Sequence, residues 1–374
     1  MKLFKSLLVA PATLGLLAPI TATANELNLQ DVSGYSSSEE VQNISEFNPA
    51  EELAVTNSRV DGLEARFNNF EAGGFSETTT ASFSGDSVIG AIDGSTTSET
   101  TSLDFQFNIG LSTSFTGEDS LDIAIDNGSD SPSVMSSSVM GFDSGKSLVV
   151  DGVTYSFPVG GASMIVGDST DLSAAFTGAC TYSAFTDLTP DDCGTGNSMG
   201  AGGKGVTAAL GYAFDSGFSV AGGITSGNTE ILGDAADAFG LNAAYSADNY
   251  GVAVAYVTDD GGTGSDTTTW GLNGYYTFDL ASVSVGYETS ETDGTDSSGY
   301  FVGLSFPEVG PGSVNVAAAT TGLFADSATE TLVYEASYSY SINDGMTITP
   351  GVFIQEVDGG DDLTGVAVKT SFSF

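Results

Sequence analysis

The side chains able to carry out chemistry in this sequence are carboxylates, hydroxyls and two cysteines, because its 374 residues include no histidine. Activation of a serine or cysteine nucleophile by imidazole, and every metal site that uses histidine, are therefore excluded. Two carboxylates could in principle hydrolyse a glycoside, but no spacing singles out one pair among the 49 Asp and Glu residues. We expect a protein that is not an enzyme, with no cofactor and no resident metal.

The charge balance excludes a nucleic-acid-binding protein. The 49 acidic residues face only 7 Lys and Arg, which gives a formal net charge of −42. Nothing in such a chain could neutralise phosphates. The hydrophobic 40% of the residues falls in short alternating stretches separated by Gly, Ser, Thr and Asp, a pattern typical of many strands and few helices.

The beginning of the chain predicts export. Lys2 and Lys5 precede an apolar stretch over 7–20, and Ala22-Thr23-Ala24 has the small residues of a cleavage site, so residues 1–24 read as a signal peptide. No later run is long and apolar enough for a membrane-spanning helix. Three destinations stay open: a soluble secreted protein, a surface polymer and an outer-membrane β-barrel. In an oxidising compartment Cys180 and Cys193 are expected to form a disulfide within one loop, the alternative being two free thiols.

A short amphipathic helix is predicted over 51–71, after a polar, flexible linker over 25–50. Five apolar residues at spacings of 7, 3, 4 and 3 share one face of this helix: Leu53, Val60, Leu63, Phe67 and Phe70. A helix this short is marginal alone, so association with copies of itself is the natural way to bury the stripe. Packing of the helix against its own domain is the alternative.

From about residue 75 to 374 the period becomes two. In 103–115 large apolar residues alternate with polar or small ones, which places the two sets on opposite faces of a strand. The same pattern recurs in about five segments before residue 204 and in eleven after it, which predicts sixteen strands.

The connections predict a transmembrane, antiparallel up-and-down β-barrel. Short turns alternate with longer acidic segments, expected at 225–237, 258–266, 289–298, 320–329 and 356–362. Tight turns at one end, long loops at the other and strands of roughly ten residues are the pattern of such barrels. Greek-key connections in a soluble sandwich would break this alternation. An acidic S-layer-like or adhesive surface protein is the second interpretation, and it should lack both this alternation and an aromatic final strand.

The final strand, 366–374, places Phe372 and Phe374 at the end of an apolar row. A terminal Phe on an amphipathic strand resembles the assembly signal read by the outer-membrane insertion machinery. Both ends of the barrel then lie on one side of the membrane, which requires an even number of strands.

A water-filled lumen would carry polar side chains. Alternation points Asp104, Gln106, Asn108, Glu335 and Lys369 inward as candidate pore-lining residues. The excess of carboxylates predicts a pore that prefers cations. Either the irregular stretch 126–147 or the cysteine loop is expected to fold inward and narrow the channel, unless it stays on the surface.

Residues 1–71 carry a family resemblance. The signal MKLFKSLLVAPATLGLLAP, the following ELNLQDVSGYSSSEEV and the helix SRVDGLEARFNNFEA resemble the cyanobacterial outer-membrane porins, relatives of the carbohydrate-selective OprB-type porins. This resemblance implies a homotrimeric sixteen-stranded porin for ions and small solutes, described in the family as sugar-related or as an iron-uptake porin. Family members usually carry an S-layer-homology domain before the helix. Residues 25–50 are too few for that domain, so no cell-wall tether is expected.

Overall fold

The computed structural model describes residues 79–94, 97–200, 203–227, 231–233, 236–262 and 264–374. The predicted signal peptide, linker and helix, with its five apolar residues, lie outside the described residues. In the described part no helix is long and apolar enough to cross a membrane.

Antiparallel strands form one closed sheet. Each long strand pairs with the next long strand along the chain, and β1 closes the ring by pairing with β17. The strands are β1 (Thr79–Gly94), β2 (Thr97–Thr113), β3 (Ser120–Gly128), β4 (Val149–Val159), β5 (Ala162–Thr170), β6 (Gly205–Ala213), β7 (Phe218–Ser226), β8 (Asp237–Ser246), β9 (Tyr250–Asp259), β10 (Thr267–Thr277), β11 (Ser282–Thr292), β12 (Thr295–Val309), β13 (Gly312–Thr320), β14 (Phe324–Ala325), β15 (Leu332–Asn343), β16 (Met346–Gln355) and β17 (Leu363–Ser373).

The two-residue β14 only extends the edge of β12, so the barrel wall has sixteen long strands. Five of them precede residue 204 and eleven follow it, so the predicted count is confirmed. Phe83 and Phe374 exchange two backbone hydrogen bonds of 2.9 Å across the seam. Pairing of the last strand with the first leaves no free sheet edge, and it places both ends of the barrel on one side.

The period of two decides which face of each strand meets lipid. Large apolar side chains point outward and are widely exposed, as shown by Leu103 at 71% and Leu241 at 64%. The inward positions carry mainly Ser, Thr, Asn, Gly, Ala and carboxylates, with larger apolar residues such as Val88 and Phe353 where a loop packs on the wall. An apolar outside around a polar inside is the reverse of a soluble domain and is what a barrel in a bilayer requires.

Aromatic pairs collect at the end where the chain closes. The rings of Tyr212 and Phe214 have centroids 4.6 Å apart, as do those of Tyr276 and Phe278. Each pair adjoins a turn of four residues between two strands. We call this end of the barrel the turn end and the opposite end the loop end. Aromatic rings are favoured at the membrane–water interface, so these pairs mark one boundary of the apolar band.

The expected loop over 289–298 is wrong. There β11 and β12 continue in register to a two-residue turn at Asp293 and Gly294, with φ of +52° and +76°. Positive φ at both central residues is the geometry of a tight hairpin, which Asp-Gly adopts readily. The polar composition that suggested a loop belongs to a hairpin whose tip extends beyond the apolar band, where water can contact both faces.

Candidate pore and its inward loops

Residues 171–200 and 203–204, which we call the inner loop, run inside the barrel along its wall. The amide of Thr177 donates to Asn242 Oδ1 at 2.8 Å, and the amide of Ala179 donates to Asn273 Oδ1 at 2.8 Å. These two asparagines are inward residues of β8 and β10. The loop therefore crosses the inner surface of successive strands, held by polar side chains that the alternation points inward.

Glu335 of β15 is the strongest anchor of the inner loop. Its Oε1 accepts the hydroxyl of Tyr182 at 2.9 Å and the amide of Phe185 at 2.8 Å. Its Oε2 accepts the amide and the hydroxyl of Thr186 at 2.9 and 2.7 Å. Burial, then the charge and hydrogen bond of Glu335, raises the pKa of Tyr182 far above its usual range, so that its hydroxyl stays a donor. An ionised carboxylate only accepts hydrogen bonds, so these four donors satisfy Glu335 even though it is only 3% exposed to solvent.

The loop returns along a second path tied to the first. Glu288 of β11 accepts the amide of Ser198 and the side-chain amide of Asn197, both at 2.7 Å. A disulfide between Cys180 and Cys193 joins the outgoing segment to the returning one. Two short helical turns, α1 (Asp191–Gly194) and α2 (Gly196–Met199), form this returning segment. The inner loop is therefore a flattened, cross-linked hairpin.

Glycines in the wall make room for this hairpin. A Cβ atom on Gly286 would lie 1.8 Å from the carbonyl oxygen of Cys193, and one on Gly271 would lie 1.9 Å from Ser198 Oγ. On Gly351 it would lie 2.4 Å from the Phe185 ring. Each of these glycines occupies an inward position. The absence of a side chain lets the loop approach the strand backbone directly.

Residues 129–148, the second loop, cover another part of the inner wall. Ser133 donates its hydroxyl to Asp104 of β2, and the amide of Asp143 donates to Gln106 Oε1 at 3.1 Å. The apolar side chains of this loop pack on β1, β16 and β17 in one buried cluster: Met135, Val139, Met140 and Phe142 with Val88, Ile92, Phe353 and Ala367.

The two loops also contact one another. Phe185 of the inner loop belongs to the same cluster, and the amide of Asp187 donates to the carbonyl of Val139 at 2.8 Å. Both segments considered in the sequence thus fold inward.

Two cavities remain along the wall that the loops leave uncovered. One of about 420 Å³ is bounded by Ser112, Asp122 and Thr154 on the wall and by Asp171 and Lys204 at the two ends of the inner loop. A second of about 670 Å³ lies toward the turn end, bounded among others by Ser120, Ser156, Ser219 and Thr177. Both linings carry several Ser and Thr hydroxyls and acidic side chains, so they can bind water and hydrated solutes.

A third cavity, of about 390 Å³, lies on the loop-end side of the inner loop and is acidic. Its lining includes Asp187, Asp191 and Glu288. Burial, and then the charge of Asp191, raises the pKa of Asp187. Burial, followed by the charges of Asp191, Asp171 and Glu288, raises the pKa of Asp192 close by. These carboxylates repel one another, and a cation entering the cavity would relieve that repulsion.

Basic side chains are scarce in the described part of the barrel. Lys146 pairs with Asp130 at 2.6 Å, and Lys204 pairs with Asp151 at 2.6 Å. Lys369, an inward residue of β17, makes no salt bridge among the described residues. Among the described residues of the barrel, carboxylates therefore far outnumber the three lysines.

The five candidate pore-lining residues all occupy inward positions but differ in what covers them. Asp104 and Glu335 are buried beneath the second loop and the inner loop, where they anchor those loops. Gln106 joins Asp86 to the second loop, while Asn108 and Lys369 are partly exposed on the wall.

The residues that bound the cavities nearest the inner loop were not singled out in the sequence. Asp122, Asp171 and Lys204 follow no motif. Inward glycines were the available signal, because a strand that faces only water has no need of Gly271, Gly286 and Gly351 on one face.

The predicted assembly residues lie at the seam. Phe372 and Phe374 point outward from β17, and the Phe374 ring stacks on Phe83 of β1 with centroids 5.9 Å apart.

The comparisons agree with this architecture. A family model described as Gram-negative porin matches residues 59–362. Among solved structures, Pseudomonas putida OprB aligns at a TM-score of 0.65 and 12% identity over 79% of this chain and 94% of that one. A loop-L8 deletion mutant of the Vibrio cholerae outer membrane protein OmpT aligns at a TM-score of 0.57 and 11% identity over 80% of this chain and 100% of that one. A multiple mutant of Rh. blastica porin aligns at a TM-score of 0.52 and 15% identity over 79% of this chain and 100% of that one.

At these identities the structural matches show the fold alone. No curated protein matches the chain by sequence. Because the family model covers most of the residues, the chain belongs to the Gram-negative porin family and is a diffusion channel of the outer membrane rather than an enzyme.

Proposed function

We propose that this porin passes inorganic ions and small hydrophilic solutes and prefers cations. The observation that carries the proposal is the imbalance of fixed charge inside the barrel. Of the described lysines, Lys204 is neutralised by Asp151 and only Lys369 is left without a salt bridge. Carboxylates of the loops and the wall face water in the lumen without such partners, as Asp122 and Asp171 do. Low-dielectric walls concentrate their field and raise the local concentration of cations.

Salt limits the reach of this field without removing it. The Debye length is about 8 Å at physiological ionic strength, so a carboxylate in a wide mouth is largely screened. The carboxylates beside the inner loop act on a narrower space, where an ion passes within a few ångströms of them. The selectivity is therefore expected to be stronger at low salt than at high salt.

The finer features belong to the same proposal. Residues 1–24 direct export, the short turns face the periplasm, and Phe374 is read by the barrel-insertion machinery. The helix over 51–71 joins three copies into a homotrimer, and the resemblance of residues 1–71 supports a cyanobacterial source. Cation preference favours metal ions, iron among them, as natural cargo over neutral sugars, which gain nothing from a negative lumen.

Reversal potentials test the cation preference. Purified protein in a planar bilayer would be measured under a tenfold KCl gradient, first at low and then at high ionic strength. We expect a potential of the sign that potassium permeation produces, decreasing as salt rises. A potential of the opposite sign, or one that is zero at every concentration, would refute the proposal.

A further inference from the structure

The two inward loops cover the lumen unevenly. Their contacts bury inward residues of the wall from β6 through β17 and on to β1, including Ala209, Ala221, Asn242, Glu335, Ala367 and Val88. The covering is specific, since side-chain hydrogen bonds and close-packed glycines hold it in place. A solute cannot pass between a loop and the part of the wall on which it is packed.

The remaining wall belongs mainly to β3, β4 and β5 and to the turn-end parts of β1 and β2. Asp122 and Ser120 are successive inward residues of β3, and Thr154 and Ser156 are successive inward residues of β4. In each pair the first residue lines the 420 Å³ cavity and the second lines the 670 Å³ cavity. The two cavities therefore follow one another along the same strands toward the turn end.

Carboxylates line both cavities, and the first of them also has a basic side chain. Lys204, where the inner loop rejoins the barrel, places its ammonium 2.6 and 2.7 Å from the two carboxylate oxygens of Asp151. Asp122 and Asp171 line the same cavity, and no basic side chain other than Lys204 does so among the described residues. In a confined aqueous space a single fixed charge alters the local concentration of ions.

We propose that solutes cross the barrel off its axis, along β3, β4 and β5, and that Asp122, Asp171 and the Lys204–Asp151 pair determine ion selectivity there. This inference rests on the proposed function as a cation-preferring channel. It adds the route and the residues, neither of which the overall charge specifies. Lys204 limits the cation preference by neutralising Asp151, and removal of Lys204 exposes that carboxylate to the permeating ions.

Thiol accessibility tests the route. Thr154→Cys places a thiol on the proposed path, whereas Ser337→Cys places one at an inward position of β15 that is buried behind the inner loop. Cys180 and Cys193 are bonded to each other, so the introduced thiol is the reactive one. A charged methanethiosulfonate reagent should remove much of the single-channel current of Thr154→Cys and leave Ser337→Cys unchanged. Equal block of both variants, or block of Ser337→Cys alone, would overturn the route.

Charge substitutions test the selectivity residues. Lys204→Gln should increase the ratio of cation to anion permeability, and Asp122→Asn should decrease it. Lys146→Gln is the matched control, because it removes the same charge from an exposed pair in the second loop. No change in Lys204→Gln and Asp122→Asn, in a wild-type channel that is cation-selective, would overturn this assignment and leave the proposed function intact. Anion selectivity of the wild type would refute both.

Discussion

Replacement of Glu335 by glutamine keeps the size of the side chain but removes half of the acceptor capacity that holds the inner loop. The carboxylate accepts four hydrogen bonds, two on each oxygen. An amide has a single oxygen, so in either orientation its NH₂ group faces two donors of the loop. In either orientation one of these two donors is a hydroxyl, which can turn and accept from the amide, whereas the other is a backbone N–H that loses its acceptor. One hydrogen bond is then lost and the other three become neutral.

The loss is large compared with the stability of a loop. A hydrogen bond to a charged group contributes about 1.5–3 kcal/mol and is roughly twice as strong as a neutral one, so the lost bond and the weakening of the other three together amount to at least about 3 kcal/mol. Since each 1.4 kcal/mol is a factor of ten, the population in which residues 182–186 leave the wall should rise about a hundredfold. The disulfide and the contacts of Asn242, Asn273 and Glu288 remain, so the rest of the loop should stay in place.

Single-channel recording in planar bilayers would detect this partial release. We expect Glu335→Gln to show frequent transient current steps at voltages where the wild type is quiet, as the freed segment enters and leaves the passage. Glu308→Gln removes the same charge from an exposed site at the turn end and should behave as the wild type does. Quiet, unchanged currents in Glu335→Gln would refute the anchoring role of this carboxylate.

Three further results are expected. Leu241→Arg, on the outward face of β8, should cost about 2–4 kcal/mol near the bilayer midplane, so less protein should show heat-modifiable mobility than with Leu241→Ala; equal folding would argue against a lipid-facing row. The disulfide closes a loop between residues 13 positions apart, so replacement of both cysteines should cost up to about 3 kcal/mol of stability. The same replacement should increase current noise, and reductant should have that effect on the wild type. Burial raises the pKa of Asp187 and Asp192, so the folded protein takes up these protons more readily than the unfolded chain does. Their protonation therefore stabilises the fold as pH falls through the raised pKa values. Cation preference should weaken over the same pH interval, and it should weaken less in a variant with Asn at both positions.

Local pattern was enough to predict the barrel. The alternation in 103–115 determines which residues of β2 face lipid, and repetition of that pattern gave the strand number. It failed at 289–298, because composition alone does not distinguish a polar loop from a hairpin that extends into water. The Asp-Gly pair at 293–294 was the available turn signal, and the alternating Thr, Ser and Glu before it were compatible with a strand.

The inner surface could be predicted only in part. Alternation correctly points Glu335 inward, but it cannot tell which segment covers it, since Phe185 and Thr186 lie about 150 positions earlier in the chain. Such contacts depend on closure of the whole barrel, which no local period encodes. Inward glycines such as Gly286 indicate where a loop packs on the wall, but only after it is known which residues of each strand point inward.

Conductance of a protein without the inner loop tests the central claim most directly. Residues 172–203 would be replaced by a short Gly-Ser linker, and heat-modifiable mobility would establish that the shortened barrel is folded. We predict a single-channel conductance well above that of the wild type, with weaker cation preference, because the segment that fills the lumen is gone. An unchanged conductance in a folded barrel would contradict the placement of this loop in the path of the ions.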